Sequence, residues 1–220
     1  MEFNILSKNI NTIQKKANAG WKAQQIMAPA LRLQYNEQQI KDRNPKMAAV
    51  LVLLYPKDGK LHLALTKRAN YKGTHSAQIS FPGGKVNNND KTLYQTALRE
   101  AFEEINMHPK QVILLKELSK TYIPPSNFWV YPFLAYTGES PNFKKNYEVA
   151  SILEVPITEL FNQKNVQIKK ISTSYMKNAD VPYFNLQNEV VWGATAMILS
   201  ELKELLKPIL QENFTKKRCK

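Results

Sequence analysis

The chain has a single cysteine among its 220 residues, Cys219. A disulfide framework and a zinc site built from thiolates are therefore excluded, and a reducing compartment is the simplest assignment. No apolar run approaches the roughly 18 residues that a membrane-spanning helix needs. Residues 1–16 lack the apolar stretch and the small-residue cleavage site of a secretory signal. We therefore expect a cytoplasmic protein.

Glycine and acidic residues are also few, with 7 glycines and 18 Asp+Glu against 31 Lys+Arg. The formal net charge of +13 predicts an anionic partner. Nucleic acid, an anionic membrane surface and a phosphorylated small molecule all satisfy this charge. The 43% hydrophobic content is enough to bury the core of a domain of this length.

The chain divides into three parts. Residues 1–46 are predicted to form an N-terminal helical arm and connector, residues 47–210 the main domain, and residues 211–220 a basic tail. Within the arm, apolar residues at helical spacing over residues 3–17 indicate a short amphipathic helix. This helix is expected to pack on the main domain; a membrane-surface helix is the alternative, although its apolar face is short. Residues 18–46 are polar and are expected to be irregular.

Apolar patterning predicts an α/β fold for the main domain. The predicted strands span residues 47–55, 61–66, 112–118, 128–136, 148–155 and 166–172, and the predicted helices span residues 91–105, 156–160 and 190–206. The first two strands are joined by a short turn and form a hairpin. Strands that surround a helix in this order indicate a mixed sheet.

The helix predicted over residues 91–105 carries an acidic face. Glu100, Glu103 and Glu104 lie within about one third of its circumference, and an apolar face lies roughly 130° away. A solvated acidic surface is the alternative, but like charges at positions i and i+4 destabilise a helix by a few tenths of a kcal/mol. A divalent cation would reverse this penalty, and clustered carboxylates suit Mg²⁺ or Mn²⁺. Asp90 is a plausible N-cap, and Asn106 could end the helix in the left-handed conformation.

The stretch that contains this helix resembles the Nudix box, G-x5-E-x7-R-E-U-x-E-E-x-G-U with U apolar. The matching residues are Gly84, Asp90, Arg99, Glu100, Ala101, Glu103, Glu104 and Met107. Asp90 stands where Glu is usual, one extra residue separates it from Arg99, and Asn106 replaces the late glycine. The resemblance implies an α/β/α sandwich with a central mixed sheet and the catalytic helix after a Gly-rich loop. It also implies hydrolysis of a nucleoside diphosphate linked to another group.

Two of these departures, the aspartate at position 90 and the longer spacing to Arg99, resemble the pattern of the coenzyme A pyrophosphatase branch of the family. That branch also has an upstream motif, roughly L-T-x-R-(S/A)-x3-(R/K)-x-x-x-G-x3-F-P-G-G. The residues similar to it are Leu65, Thr66, Arg68, Ala69, Lys72, His75, Gln78, Phe81, Pro82, Gly83 and Gly84, with Ala77 where glycine is expected. Later segments at residues 146–149, 155–157 and 192–196 also resemble the branch. The resemblance covers about residues 27–206.

The resemblance implies roles for the acidic residues. Glu100 and Glu104 would be the principal metal ligands, and Glu103 a further ligand or the base that positions water. Arg99 would orient the glutamates by a salt bridge. Glu148 would add a metal ligand or a general base, or else be an ordinary solvent-facing glutamate.

The basic residues before the acidic helix are interpreted as substrate contacts. Six Lys and Arg between Lys57 and Lys85 face Asp58 alone, which gives a local charge of +5. Arg68 is expected to contact substrate phosphates, because its planar fork suits phosphate oxygens, with a surface salt bridge as the alternative. Lys72, Gln78, Gly83 and Gly84 are assigned to the same substrate site. His75 is assigned either to a ribose 3′-phosphate or to a loop carbonyl.

The function that the resemblance implies is metal-dependent hydrolysis of the pyrophosphate bond of coenzyme A or its thioesters. The products would be 4′-phosphopantetheine, or its acyl form, and adenosine 3′,5′-bisphosphate. Two alternatives stay open: a Nudix hydrolase of another nucleoside diphosphate derivative, and a non-catalytic regulator that binds nucleotide or RNA. We expect a phosphorylated small molecule as partner and no membrane; RNA is not favoured, because no RNA-recognition motif is found. A homodimer is compatible with the sequence.

Overall fold

The computed structural model describes residues 2–70 and 77–216. The strands are β1 (Lys46–Lys57), β2 (Lys60–Arg68), β3 (Ile79–Ser80), β4 (Gly83–Lys85), β5 (Ile113–Glu117), β6 (Thr121–Ile123), β7 (Phe128–Tyr136), β8 (Val149–Pro156), β9 (Val166–Thr173), β10 (Met176–Leu186) and β11 (Glu189–Trp192). The α-helices are α1 (Glu2–Lys8), α2 (Ile10–Lys15), α3 (Gly20–Gln24), α4 (Ala30–Leu33), α5 (Glu37–Asp42), α6 (Leu93–Ile105), α7 (Ile157–Phe161) and α8 (Gly193–Lys216). Short 3-10 turns lie at Gln25–Met27, Pro109–Gln111 and Gln163–Asn165.

The main sheet is mixed, as predicted. Its strand order is β3-β2-β1-β7-β5, with β4, β6 and β8 pairing with β1, β7 and β2. Strands β1 and β7 run parallel, from Lys46 opposite Phe128 to Leu54 opposite Tyr136, and the other pairs are antiparallel. A separate three-stranded antiparallel sheet is formed by β9, β10 and β11.

Strand β1 is buried on both faces, which explains its continuous apolar sequence. Val52 and Leu54 belong to the larger hydrophobic core, which contains much of α8. Leu51 and Leu53 point to the other face, where they join the apolar side of α6. The sheet is thus covered on both faces, and the predicted α/β/α sandwich is confirmed.

Capping residues explain where α6 begins and where it ends. Thr92 is the N-cap, and its hydroxyl accepts a hydrogen bond of 3.1 Å from the backbone N–H of Gln95. The prediction that Asp90 caps the helix is therefore wrong, because the Asp90 carboxylate is bound to Arg99 and Thr96. Asn106 ends the helix with φ of 59°, which confirms the predicted left-handed conformation.

The N-terminal arm departs from the sequence prediction in two respects. Residues 3–17 form two helices rather than one, with the break at Asn9, whose side-chain amide donates to the carbonyl of Ile5 at 2.9 Å. Residues 18–46 are not irregular, because they contain α3, α4 and α5. Leu6 and Ile13 are fully buried in the larger core. This burial confirms that the arm packs on the main domain.

A buried carboxylate joins the arm to the domain. Glu201 of α8 is fully buried. It accepts hydrogen bonds from the side-chain amide of Gln24 at 2.8 Å and the backbone N–H of Gly20 at 3.1 Å. The hydroxyl of Ser119 donates to it at 2.7 Å. The negative charge is thus held by donors from α3 and from the loop before β6.

The C-terminal helix also differs from its prediction. Residues 190–192, predicted as helix, lie in β11, and α8 begins only at Gly193, where φ is 64°. The helix continues through Pro208 to Lys216. It therefore crosses residue 211, where the basic tail was predicted to begin. Within the described ranges, no helix combines the length and apolar character needed to cross a membrane.

Candidate active site

The Gly-rich strand β4 lies against α6 and brings two carboxylates to the same backbone. The N–H of Gly83 donates to Glu104 Oε2 at 3.1 Å. A Cβ placed on Gly84 would overlap the carboxylate of Glu100, and one on Gly83 would overlap the carbonyl of Ala49. Glycine is thus required at position 83 for the close approach of β4 to β1, and at position 84 it leaves room for the carboxylate of Glu100 where the structure places it. The side chains of Glu100 and Glu104 consequently face one segment of backbone.

Arg99 connects the loop before α6 to the acidic face. Its Nε and Nη2 donate to the two oxygens of Asp90, each at 3.0 Å, and Nη2 also donates to the carbonyl of Lys85 at 3.1 Å. Its Nη1 donates to Glu100 at 2.8 Å and to Glu103 at 3.1 Å. The guanidinium is thus held among protein oxygens. This arrangement is the one expected of a residue that orients the glutamates.

Burial dominates the electrostatics of the carboxylate pair. Glu104 is 4% exposed, and burial raises its pKa to about 7 although the Gly83 N–H and Arg68 oppose the shift. Burial also raises the pKa of Glu100 against the effect of Arg99. In contrast, the hydrogen bonds from Arg99 lower the pKa of Asp90 to about 2. Two adjacent carboxylates that are costly to charge form a donor set that a hard divalent cation would neutralise.

Glu103 does not share this environment. Its side chain is 52% exposed and is paired with Arg99. Of the three glutamates predicted to bind metal, the structure brings Glu100 and Glu104 together at β4 and turns Glu103 toward Arg99. Across residues 2–70 and 77–216, no three His, Cys, Asp or Glu side chains are grouped closely enough to hold a metal ion.

Glu148 and Arg68 lie beside the carboxylate pair. The charge of Glu148 contributes to raising the pKa of both Glu100 and Glu104, after burial. Its backbone carbonyl accepts a hydrogen bond from Ala69 at 2.8 Å, which ties it to the chain just after β2. Arg68 Nη1 is 3.9 Å from Glu104 Oε1. Arg68 therefore forms a partly buried ion pair within the site.

The structure places the other predicted substrate residues in different locations, and some of them lie outside the described residues. Gln78 lines the same cavity as Gly83 and Gly84, whereas Lys72 and His75 lie outside the described residues. Lys57 lies seven residues along β1 from Val50, the partner of Gly83, and so about 23 Å from the site. Lys57 and Lys67 are also paired, with Glu154 at 2.8 Å and Glu189 at 2.6 Å. The predicted basic cluster therefore does not act as one patch.

A cavity of about 500 Å³ opens beside Gly83 and Gly84. Its walls come from the arm, from strands β1 to β4 and β7 of the main sheet, from the corner before β7, from the turn between β9 and β10, and from the β11–α8 junction. Representative residues from these walls are Arg32, Lys85, Pro124, Phe128, Tyr175, Trp192 and Thr195.

The sequence had pointed to some of these cavity residues but not to others. It indicated Trp192 and Thr195 only through resemblance. It missed Tyr175 and Arg32; the signal for Arg32 was a lone cation among apolar residues at Ala30–Leu33.

Comparisons with known proteins agree with this architecture. A NUDIX domain model matches residues 45–175. The chain is 32% identical to the uncharacterized Nudix hydrolase NudL of Photorhabdus laumondii over 73% of this chain and 85% of that protein. It is also 32% identical to the mitochondrial Nudix hydrolase 15 of Arabidopsis thaliana, over 70% of this chain and 56% of that protein.

One solved structure supports the fold. The Nudix hydrolase RenU of M. smegmatis superimposes with a TM-score of 0.54, at 18% identity, over 75% of this chain and 88% of that chain. At this identity the likeness concerns the fold alone. The chain spans only about half the length of the Arabidopsis relative but most of the length of NudL.

Proposed function

The chain belongs to the Nudix hydrolase family, and on that premise we propose that it hydrolyses the pyrophosphate bond of coenzyme A or of its thioesters. The observation that carries the proposal is the placement of Glu100 and Glu104 against Gly83 and Gly84, two glycines that line the same cavity as Arg32, Arg68 and Lys85. Cations in the cavity suit the negative charge of a diphosphate, and the paired carboxylates suit a metal ion that assists cleavage of its pyrophosphate bond.

The upstream motif supports coenzyme A as the substrate. Its residues Gln78, Phe81, Gly83 and Gly84 line the cavity, together with Arg68. Ala77, which replaces the expected glycine, has φ of 57°. This departure from the motif therefore preserves the backbone conformation that glycine would favour.

The metal is part of the proposal. Nudix hydrolases generally use divalent metal ions, and Glu100 and Glu104 are the residues that would hold Mg²⁺ or Mn²⁺ here, with Glu103 either as a further ligand or as the base that positions water. When bound, such an ion neutralises the diphosphate and lowers the pKa of a bound water. The protein groups have separate tasks: Arg99 fixes the orientation of Glu100, Arg68 holds a phosphate oxygen, and Glu148 or Glu103 accepts the proton of the attacking water.

A metal-dependent substrate panel tests this proposal. Purified protein would be incubated with Mg²⁺ or Mn²⁺ and with coenzyme A, acetyl-coenzyme A, a nucleotide sugar or a dinucleoside polyphosphate. Release of both 4′-phosphopantetheine and adenosine 3′,5′-bisphosphate from coenzyme A is expected. Faster turnover of another substrate would reject coenzyme A and keep the Nudix activity. Tight, steeply salt-dependent RNA binding without hydrolysis would instead favour the regulator.

A further inference from the structure

Arg32 is a buried cation that forms no salt bridge with a carboxylate of the described residues, although the charge of Glu37 acts on it from beyond contact distance. It lies in α4 of the arm, is 9% exposed and lines the cavity beside Gly83. Among the described residues its side chain makes one hydrogen bond, from Nη1 to the carbonyl of Tyr35 at 3.0 Å, and no salt bridge. Its Nε is buried and has no hydrogen-bond partner there. Burying a charge in this state is costly unless another group compensates it.

Aromatic rings hold the guanidinium in place. Its Cζ lies 4.3 Å from the ring centroid of Trp21 and 5.9 Å from that of Tyr122. Such cation-π contacts recover part of the lost hydration and fix the plane of the guanidinium. They supply no negative charge. The arm therefore presents a pre-oriented cation that is in direct contact with no described carboxylate and that a bound anion could contact.

The charged residues that line the cavity favour an anion. Three cations line it, Arg32, Arg68 and Lys85, and the described residues that line it include no Asp or Glu. Arg68 is close to Glu104 at 3.9 Å and therefore belongs to the carboxylate site. Lys85 is exposed and lies over the ring of Phe128, 5.7 Å from its centroid. Arg32 comes from the arm, which thereby adds a buried positive charge to the cavity wall.

We propose that Arg32 binds a phosphate monoester of the substrate, separate from the diphosphate that is cleaved. A planar guanidinium matches phosphate oxygens and, once paired with them, no longer carries an uncompensated buried charge. This inference rests on the proposed function, under which the monoester is the 3′-phosphate of coenzyme A. The arm, for which sequence analysis suggested no functional role, thereby becomes part of the substrate site.

Kinetics with two substrates test the assignment. Arg32→Met should raise KM about 10- to 100-fold for coenzyme A and less than about twofold for 3′-dephospho-coenzyme A. Arg43→Met is the matched control, because Arg43 lies in the same arm and donates from Nε to the hydroxyl of Tyr122 at 2.7 Å but does not line the cavity. An equal change for both substrates, or none, in Arg32→Met would overturn the assignment.

A binding measurement without metal separates this inference from the proposed function. Calorimetry would compare adenosine 3′,5′-bisphosphate with adenosine 5′-monophosphate. The wild type should prefer the bisphosphate, and Arg32→Met should abolish the preference. This result would support the site even if coenzyme A is not hydrolysed; equal binding of both nucleotides by the wild type would overturn it.

Folding of the variant provides the last control. Arg32→Met should unfold at a temperature equal to or above that of the wild type, because it removes a buried charge and keeps an apolar stem over Trp21. If the variant unfolds early, Arg32→Lys replaces it in both assays. Lysine keeps the charge but lacks the planar fork, so Arg32→Lys should lose part of the preference for the bisphosphate, less than Arg32→Met loses. A folded Arg32→Lys protein with an unchanged preference would contradict recognition by the guanidinium fork.

Discussion

Arg99 and Asp90 form a two-pronged ion pair, with Nε–Oδ1 and Nη2–Oδ2 distances of 3.0 Å each. The pair explains two departures from the usual Nudix box. Asp90 is one methylene shorter than the usual glutamate and lies one residue further from Arg99, yet it still receives both prongs of the guanidinium. Asp90 also accepts from the hydroxyl of Thr96 and from the N–H of Asn87, each at 2.9 Å. The loop before α6 is therefore anchored by one carboxylate.

The first prediction concerns stability at acidic pH. Arg99 lowers the pKa of Asp90 to about 2 in the folded state, below the unfolded value of about 3.9. The pair therefore stabilises the fold above about pH 4, and this contribution is lost as the pH falls toward 2. Urea unfolding of the wild type and Asp90→Asn should show a difference at pH 6 that shrinks by pH 2. A difference independent of pH would contradict the ion pair.

The second prediction concerns Gly84. Alanine at this position would push on the carboxylate of Glu100, which is the movable end of a side chain. Gly84→Ala should therefore lower kcat/KM about 10- to 100-fold and leave the urea midpoint nearly unchanged. Gly138→Ala is the matched control, because an added Cβ there meets no atom within 4 Å among the described residues. Full activity in Gly84→Ala would show that the position of Glu100 does not matter.

The third prediction concerns Ala77. Its φ of 57° is a left-handed conformation, which costs an L-residue roughly 1–2 kcal/mol. Ala77→Gly should stabilise the protein by about 0.5–1 kcal/mol after the entropy of glycine is subtracted. Ala179→Gly in β10 is expected to destabilise it instead, because glycine weakens a strand. Chemical denaturation measures both changes, and destabilisation by Ala77→Gly would contradict the observed backbone.

The fourth prediction concerns Glu201. Its buried carboxylate accepts hydrogen bonds from Gly20, Gln24 and Ser119, and Glu201→Gln places an amide among these donors. We expect a loss of about 1.5–3 kcal/mol in the free energy of unfolding and faster proteolysis of the arm. Glu204→Gln, one turn further along α8, alters a carboxylate 3.9 Å from Lys207 and should have little effect. Equal stability of the two variants would show that Glu201 does not anchor the arm.

The parts predicted correctly from sequence are those with strong local signals. Strand β7 was predicted at its observed bounds, and β1 within two residues at its later end, because both are apolar runs of strand length. The apolar face of α6 and the left-handed Asn106 follow equally from local pattern. The sequence predicts Glu100, Glu103 and Glu104 as one acidic group, because helical geometry places all three on the same side. It does not reveal that Arg99 pairs with Glu103 and that only Glu100 and Glu104 meet at β4.

The missed parts depend on contacts distant in sequence. Strand β10 has a largely exposed first half, including Lys177 and Asn178, so its sequence carries no clear strand pattern. The helices of the arm are each seven residues or shorter, too short to be stable alone. They form because the arm packs on the domain and is bound to Glu201. For the same reason the lone cation at Arg32 can be noticed in the sequence, but only the folded structure shows that it lines the cavity.

The direct test of the central claim compares the wild type with Glu104→Gln. Each protein is incubated with coenzyme A and Mg²⁺ or Mn²⁺, and chromatography measures the products that form. Glu139→Gln, at an exposed position outside the site, is the control. The wild type and Glu139→Gln should release adenosine 3′,5′-bisphosphate at equal rates, and Glu104→Gln should be slower by about 100-fold while remaining folded. Wild-type turnover by Glu104→Gln would contradict the assignment of the active site to the carboxylate pair at β4.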